Sequence, residues 1–168
     1  MLVAPATVVF PWLAASCLVV CLAACGEALD AVSLFENGDY SKAFNAFSEM
    51  ARGGDTEALN YLGIHYYIGA GVGRDLPQAA AWFEQAALLG HADAQKNLGV
   101  MYYRGLGVKQ DYHHAYGWMH HARAGGNGEA QNYIDLMHYN VTPNAMAIAV
   151  ETINTQIEQQ EKLLRARP

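Results

Sequence analysis

The stretch DYHHAYGWMHHARAGG places four histidines, His113, His114, His120 and His121, within nine positions. Imidazole is a common metal ligand and the usual general base near neutral pH, so metal binding or acid–base catalysis is the first chemistry to weigh. Spacing argues against a tight metal site. On a helix, His113 to His120 and His114 to His121 are seven apart, about 10.5 Å along the axis at ~1.5 Å per residue. Ligands of one tetrahedral zinc, each bonded at about 2.1 Å, sit much closer. His113 and His121, eight apart, leave room for loose binding only. Nucleophilic chemistry is thinner still: Ser33, Ser41 and Ser48 have no histidine in their part of the chain to activate a hydroxyl. Gly69-Ala70-Gly71-Val72-Gly73 is glycine-rich but lacks the lysine and the preceding strand of a phosphate loop. No cofactor is expected.

What positions these residues is a repeat. ALNYLGIHYYIGAGVGRDLPQAAAWFEQAALLGHADA, from Ala58, returns as AQKNLGVMYYRGLGVKQDYHHAYGWMHHARAGGNGEA, from Ala94, without a gap and with a period of 36. Leu62-Gly63 recurs as Leu98-Gly99, Tyr66-Tyr67 as Tyr102-Tyr103, and Gly69 and Gly71 as Gly105 and Gly107. Asp75, Ala79, Trp82, Ala86 and Gly90 recur as Asp111, Ala115, Trp118, Ala122 and Gly126. Each unit reads as two helices. Ala58, Leu62 and Tyr66 mark one face of the first, and Ala79, Trp82, Ala86 and Ala87 one face of the second. Gly69 and Gly71 turn the chain between them, while Asp75 caps the second helix ahead of Pro77 in its first turn. Gly63, Ala79 and Ala86 allow close approach, and Trp82 is expected to fill the space beside them.

The pattern A-x3-L-G-x2-Y-x2-G-x-G-V-x2-D-x3-A-x2-W-x3-A-x3-G-x3-A resembles the Sel-one-like repeat, a 36-residue relative of the tetratricopeptide repeat, over Ala28 to about Asn140. The flanks fit as partial units. Asp39 to Ala58 aligns with the second helices, and the turn ENGDY joins it to a helix over Glu27 to Glu36. AQNYIDLMHYN repeats the first helix, and Thr142-Pro143 opens a last helix with an Ala149, Ile153, Ile157 stripe and a polar end, solvated or frayed. The expectation is an all-α protein of eight helices, a short right-handed α-α solenoid. A variant repeat would occupy residues 25–57, full repeats 58–93 and 94–129, and capping helices 130–168.

The repeat also gives the histidines an address. His113 and His114 align with Pro77 and Gln78, and His120 and His121 with Glu84 and Gln85, polar positions of a second helix. A solvated face without metal is therefore expected.

Place is read from the start of the chain. MLVAPATVVFPWLAASCLVVCLAACG carries no charge, which suits either a membrane span or a secretory signal. Leu22-Ala23-Ala24-Cys25-Gly26 resembles the bacterial lipobox, and that resemblance implies a signal peptide over residues 1–24 with lipid on Cys25. Cys17, Cys21 and Cys25 all fall in this run, so a chain beginning at Cys25 has one thiol and no internal disulfide. A lipid-anchored protein facing the periplasm, at the outer membrane by the resemblance, is the expectation. The net charge of -6 over 168 residues discourages nucleic-acid binding.

In the tetratricopeptide register the concave face takes Glu57, Asn60, Ile64, Tyr67 and Ile68 from one unit and Asp93, Lys96, Val100, Tyr103 and Arg104 from the next. Asn132, Leu136 and Tyr139 follow from the last. Aromatic and arginine side chains dominate many protein interfaces, so this strip suits a protein or peptide partner; Tyr67, Tyr103 and Tyr139 suit inter-unit packing equally well. The resemblance implies a non-catalytic adaptor of the cell envelope. An immunity protein against a type VI secretion toxin is the alternative it allows, and a cell-wall hydrolase a more distant one.

Overall fold

The computed structural model describes residues 30–166. Eight helices and no strand occur among them. Helix α1 ends at residue 36 and is helical from residue 30. It is followed by α2 (Tyr40–Arg52), α3 (Thr56–Ile68), α4 (Leu76–Leu88), α5 (Ala92–Arg104), α6 (Tyr112–Ala124), α7 (Ala130–Met137) and α8 (Pro143–Arg165). Cys17, Cys21, Cys25 and the proposed signal segment lie outside the described residues. No helix among the described residues is long and apolar enough to cross a membrane.

Helices start where side chains replace missing intrahelical partners. Asp55 accepts from Ala58 N at 2.9 Å, Asp75 from Gln78 N at 3.0 Å, and Asp111 from His113 N and His114 N at 2.8 and 3.1 Å. Ahead of α5 the cap is His91, whose Nδ1 accepts from Ala94 N at 3.3 Å. Thr142 caps α8 in front of Pro143, as the Thr-Pro pair predicts. Between the helices of each full unit, a tight loop folds back on the helix it leaves. Asp75 N donates to Tyr66 O and Asp111 N to Tyr102 O, while Arg74 Nε and Gln110 Nε2 donate to the Tyr67 and Tyr103 carbonyls.

Successive units stack through that loop. A Cβ on Gly107, whose φ is +70°, would lie 2.3 Å from the Leu76 carbonyl carbon, and one on Gly71 would lie 2.7 Å from that of Tyr40. Tyr40 and Leu76 are themselves 36 apart and each opens the second helix of the preceding unit. The second glycine of the loop is therefore the point where backbone meets backbone between neighbours.

Within a unit the core repeats column by column. Ala58, Ala94 and Ala130 are fully buried, as are Ala43, Ala79 and Ala115, and Leu62, Leu98 and Ile134 are nearly so. Small residues permit the contact, but the ring over Gly63 belongs to Phe83, not Trp82. A Cβ on Gly63 would come within 2.5 Å of the Phe83 ring, and Gly99 faces Met119 at the same place. Trp82 is only half-buried between two clusters, whereas Trp118 is 1 % exposed.

The two tryptophans differ because of α8. This helix leaves the stacking pattern after α7 and lies along α6, reaching α4 at one end. Gly117 allows the approach: a Cβ there would stand 2.6 Å from Ile153 Cγ1 and 2.8 Å from the Ala149 carbonyl oxygen. In the sister unit the same position is Ala81, which is exposed. Ala149 and Ile153 are buried and Ile157 packs against the same cluster, as the stripe predicts. Beyond it α8 is mostly exposed and helical to Arg165, a solvated end rather than a frayed one, the first of the two forms its polar sequence allows.

The same contact corrects the reading of the histidines. Of the four only His113 is exposed; His114, His120 and His121 are partly buried, with α8 against His114 and His121 on a face that is open in the unit before.

Candidate functional site

The histidine cluster was the first candidate, and its geometry is structural. His114 Nδ1 lies 2.9 Å from Asp111 Oδ2 and its ring stacks on Tyr102 at 5.1 Å, while His113 Nδ1 is 3.7 Å from Asp111 Oδ1. Burial of Asp111 opposes its ionisation, but the hydrogen bonds from His114 and the His113 amide hold its carboxyl below the ordinary range. His120 Nδ1 and His121 Nε2 are buried without a partner. Burial lowers the pKa of both imidazoles; the Arg123 charge adds to the effect on His120. For His121 the neighbouring His120 adds to it, against the pull of Asn154 and the Val150 backbone. Among the described residues no group of three or more His, Cys, Asp or Glu side chains is placed to hold a metal ion.

His65 has the same character one unit earlier. It occupies the column filled by Met101 and Met137, fully buried, with its ring edge-on to Phe35 and Phe44 at 5.1 and 5.5 Å. Its Nδ1 lies 2.6 Å from the Ala70 carbonyl and its Nε2 has no partner. Ser48 Oγ donates to the Phe44 carbonyl at 2.7 Å, a bond inside its own helix.

A groove runs along the first helices of successive units, on the side where the sequence places the concave face. Its larger hollow, about 640 Å³, is lined by Glu57, Asn60, Tyr61 and Ile64 of α3, by His91, by Asp93, Lys96 and Asn97 of α5, and by residues 126–129 before α7. A second hollow of about 260 Å³ continues it through Ile64, Tyr67, Phe83, Lys96, Asn97, Val100, Arg104, Glu129 and Tyr133. Hydrogen bonds tie neighbouring units across the floor and rim. Asn97 Nδ2 donates to Asn60 Oδ1 at 3.1 Å, Lys96 Nζ to Glu129 Oε2 at 3.0 Å, and Asn127 Nδ2 to Asp93 Oδ1 at 2.6 Å.

Eight residues read from the sequence line these hollows: Glu57, Asn60, Ile64, Tyr67, Asp93, Lys96, Val100 and Arg104. Five do not. Ile68 is 51 % exposed at the end of α3. Tyr103 is half-buried between Tyr112 and Tyr133, with ring centres at 5.5 and 6.0 Å, so it packs between elements. Asn132 and Leu136 are exposed because no further first helix stacks on α7 to close the groove there. Tyr139 is 93 % exposed: α7 ends at Met137, and the helical register that would bring it level with Tyr67 and Tyr103 is lost. Missed from sequence were Tyr61, Asn97 and Tyr133, a column at the 36-residue period, and Glu129, which completes a column with Glu57 and Asp93. The first helices show them at i+4 and i from the residues already chosen.

With this arrangement established, comparison with known proteins is informative. A family model for the Sel1 repeat matches residues 56–91 and 92–127. The chain carries two Sel1 repeats in tandem. Sel1 repeat proteins are generally protein-interaction scaffolds, and repeat scaffolds of this type bind other proteins.

Solved structures agree on the all-α solenoid. A protective antigen present in uropathogenic Escherichia coli strains, displaying an SLR fold, superposes with a TM-score of 0.72 at 27% identity, over 86% of this chain and 33% of that one. A Sel1 repeat protein from Oxalobacter formigenes gives 0.62 at 25% identity, over 68% of this chain and 49% of that one. Cysteine rich protein B of Helicobacter pylori gives 0.57 at 27% identity, over 61% and 79%. The chain thus spans about a third of the first of these and about half of the second. No curated protein matches the sequence.

Proposed function

We propose that this Sel1-like repeat protein is a non-catalytic scaffold of the bacterial cell envelope that holds another protein in the groove formed by α3, α5 and the start of α7. The observation that carries this is the groove itself. It crosses three successive units, offers apolar, aromatic and polar groups together, and has its inner residues tied to one another rather than poised for chemistry. Tyr67 and Arg104 supply the side-chain types most often found at binding hot spots. Lipid attachment at Cys25, facing the periplasm, rests on the resemblance of Leu22 to Gly26 to a lipobox.

The test is site-specific photo-crosslinking in intact cells. A photoreactive side chain at Tyr67, Lys96 or Val100 is expected to capture one discrete protein, and the same group at Glu84 or Gln85, exposed on α4, is expected to capture none. Capture from α4 alone moves the working face to the opposite side of the repeat and ends this reading.

A further inference from the structure

The groove is not chemically uniform. Glu57, Asp93 and Glu129, spaced 36 apart, put one carboxylate from each unit on the larger hollow. Lys96 is the one lysine or arginine lining it, and it is held by Glu129 at 3.0 Å, so its charge is spent within the wall. Further along, Ile64, Tyr67, Phe83, Val100 and Tyr133 give the smaller hollow an apolar lining.

A separate feature points to a chain-like guest. Asn60 is 6 % exposed, yet it lines the larger hollow. Its Oδ1 accepts from Asn97 at 3.1 Å. The amide N–H₂ of a residue lining the hollow can donate to the carbonyl of an extended backbone. Tyr61 lies in the same surroundings: burial, then Glu57, Glu36 and Asp93, raise its hydroxyl pKa.

We infer that the groove selects an extended segment of its partner in which a lysine or arginine enters the acidic hollow beside Glu57 and Asp93 while a neighbouring apolar side chain fills the hollow between Tyr67 and Val100. The inference rests on the scaffold reading above and adds the chemistry of the partner to it. Charge complementarity of this kind governs which partner is accepted and how fast it associates. The guanidinium or ammonium meets two carboxylates that have no ion-pair partner among the described residues, an acidic guest meets repulsion, and the apolar neighbour sets the register along the groove.

The experiment uses the full chain, purified in detergent, and an array of short peptides pairing Arg or Lys with Leu or Phe in a Gly/Ser background. Matched arrays carry Glu in place of the basic residue or Ser in place of the apolar one. The basic–apolar peptides are expected to bind, with affinity falling as salt is raised, and the acidic and apolar-free arrays to bind at least about tenfold more weakly, two exposed charge pairs being of that order. Glu57→Gln with Asp93→Asn is expected to remove most of the preference for the basic residue and leave the helical circular dichroism unchanged. Val100→Ser is expected to remove the preference for Leu or Phe. Binding of acidic peptides in the groove overturns the inference and leaves the scaffold reading standing. Binding of basic peptides that none of these variants alters overturns the inference and removes the groove as the site. An array without binders overturns the inference as well.

Discussion

Replacing Gly107 by alanine adds one methyl group, and the structure places it against backbone that cannot rotate away. Two costs arise and are separable. The first is conformational: at φ +70° an L-residue pays about 1 to 2 kcal/mol. The second is steric, because the new Cβ would lie 2.3 Å from the Leu76 carbonyl carbon and 2.7 Å from Pro77 N, so the two units must separate. Overpacking of this kind costs about 1 to 3 kcal/mol more. Gly90 isolates the first cost, since it has φ +87° and nothing within 4 Å of its ideal Cβ. Gly90→Ala is therefore expected to cost about 1 to 2 kcal/mol and Gly107→Ala about 2 to 5 kcal/mol, while the loss of chain entropy in the unfolded state is the same for both and cancels. Urea denaturation followed by circular dichroism measures the difference. Gly71→Ala, 2.7 Å from the Tyr40 backbone, is expected to fall between the two. Equal midpoints for Gly107→Ala and Gly90→Ala would refute the assignment of this glycine as the inter-unit contact.

Three further outcomes can be measured. Trp118→Ala is expected to cost about 3 to 5 kcal/mol and Trp82→Ala roughly half of that, in proportion to the area each ring has lost to burial; equal losses in a denaturation series would mean that α8 does not cover Trp118 in solution. Stability is expected to fall as pH drops below about 6.5, because His65, His120 and His121 have folded pKa values below the ordinary 6.5 and the unfolded chain takes up their protons first. That contribution is complete above pH 6.5 and is lost on the way down to the folded values; a His120→Gln/His121→Gln variant whose midpoint drops as steeply between pH 7.5 and 5.5 as the parent's would show that the α6–α8 contact is not its source. Cys25→Ala is expected to abolish fatty-acid labelling of the protein in cells, and labelling that persists would remove the lipid anchor from the proposed function.

What the sequence made legible is what recurs. Two gapless copies at a period of 36 expose every contact made identically in both, which is why the alanine columns, the loop glycines and the Asp75 and Asp111 caps were readable from letters alone. A contact made once has no second copy to reveal it. His65 sits in a column otherwise filled by methionines, where Phe35, Phe44 and Phe47 surround it, and no second copy of that contact exists to show it in the sequence. Gly117, where the sister unit has Ala81, was the one letter that announced a helix lying across α6, and its meaning depends on knowing where α8 goes. The groove falls between these cases. Its columns Asn60–Lys96 and Ile64–Val100 follow from helical periodicity, but the bonds that join them, Asn97 to Asn60, Lys96 to Glu129 and Asn127 to Asp93, link residues 37, 33 and 34 apart rather than 36. The offset differs from bond to bond, and two of the three bonds end on Asn127 and Glu129, ahead of α7, so the partner of each side chain cannot be read from the 36-residue period. Lys96 is paired by Glu129 of the following unit while Glu57 and Asp93 have no ion-pair partner among the described residues, so the acidity of the groove depends on how the units stack and not on any single repeat.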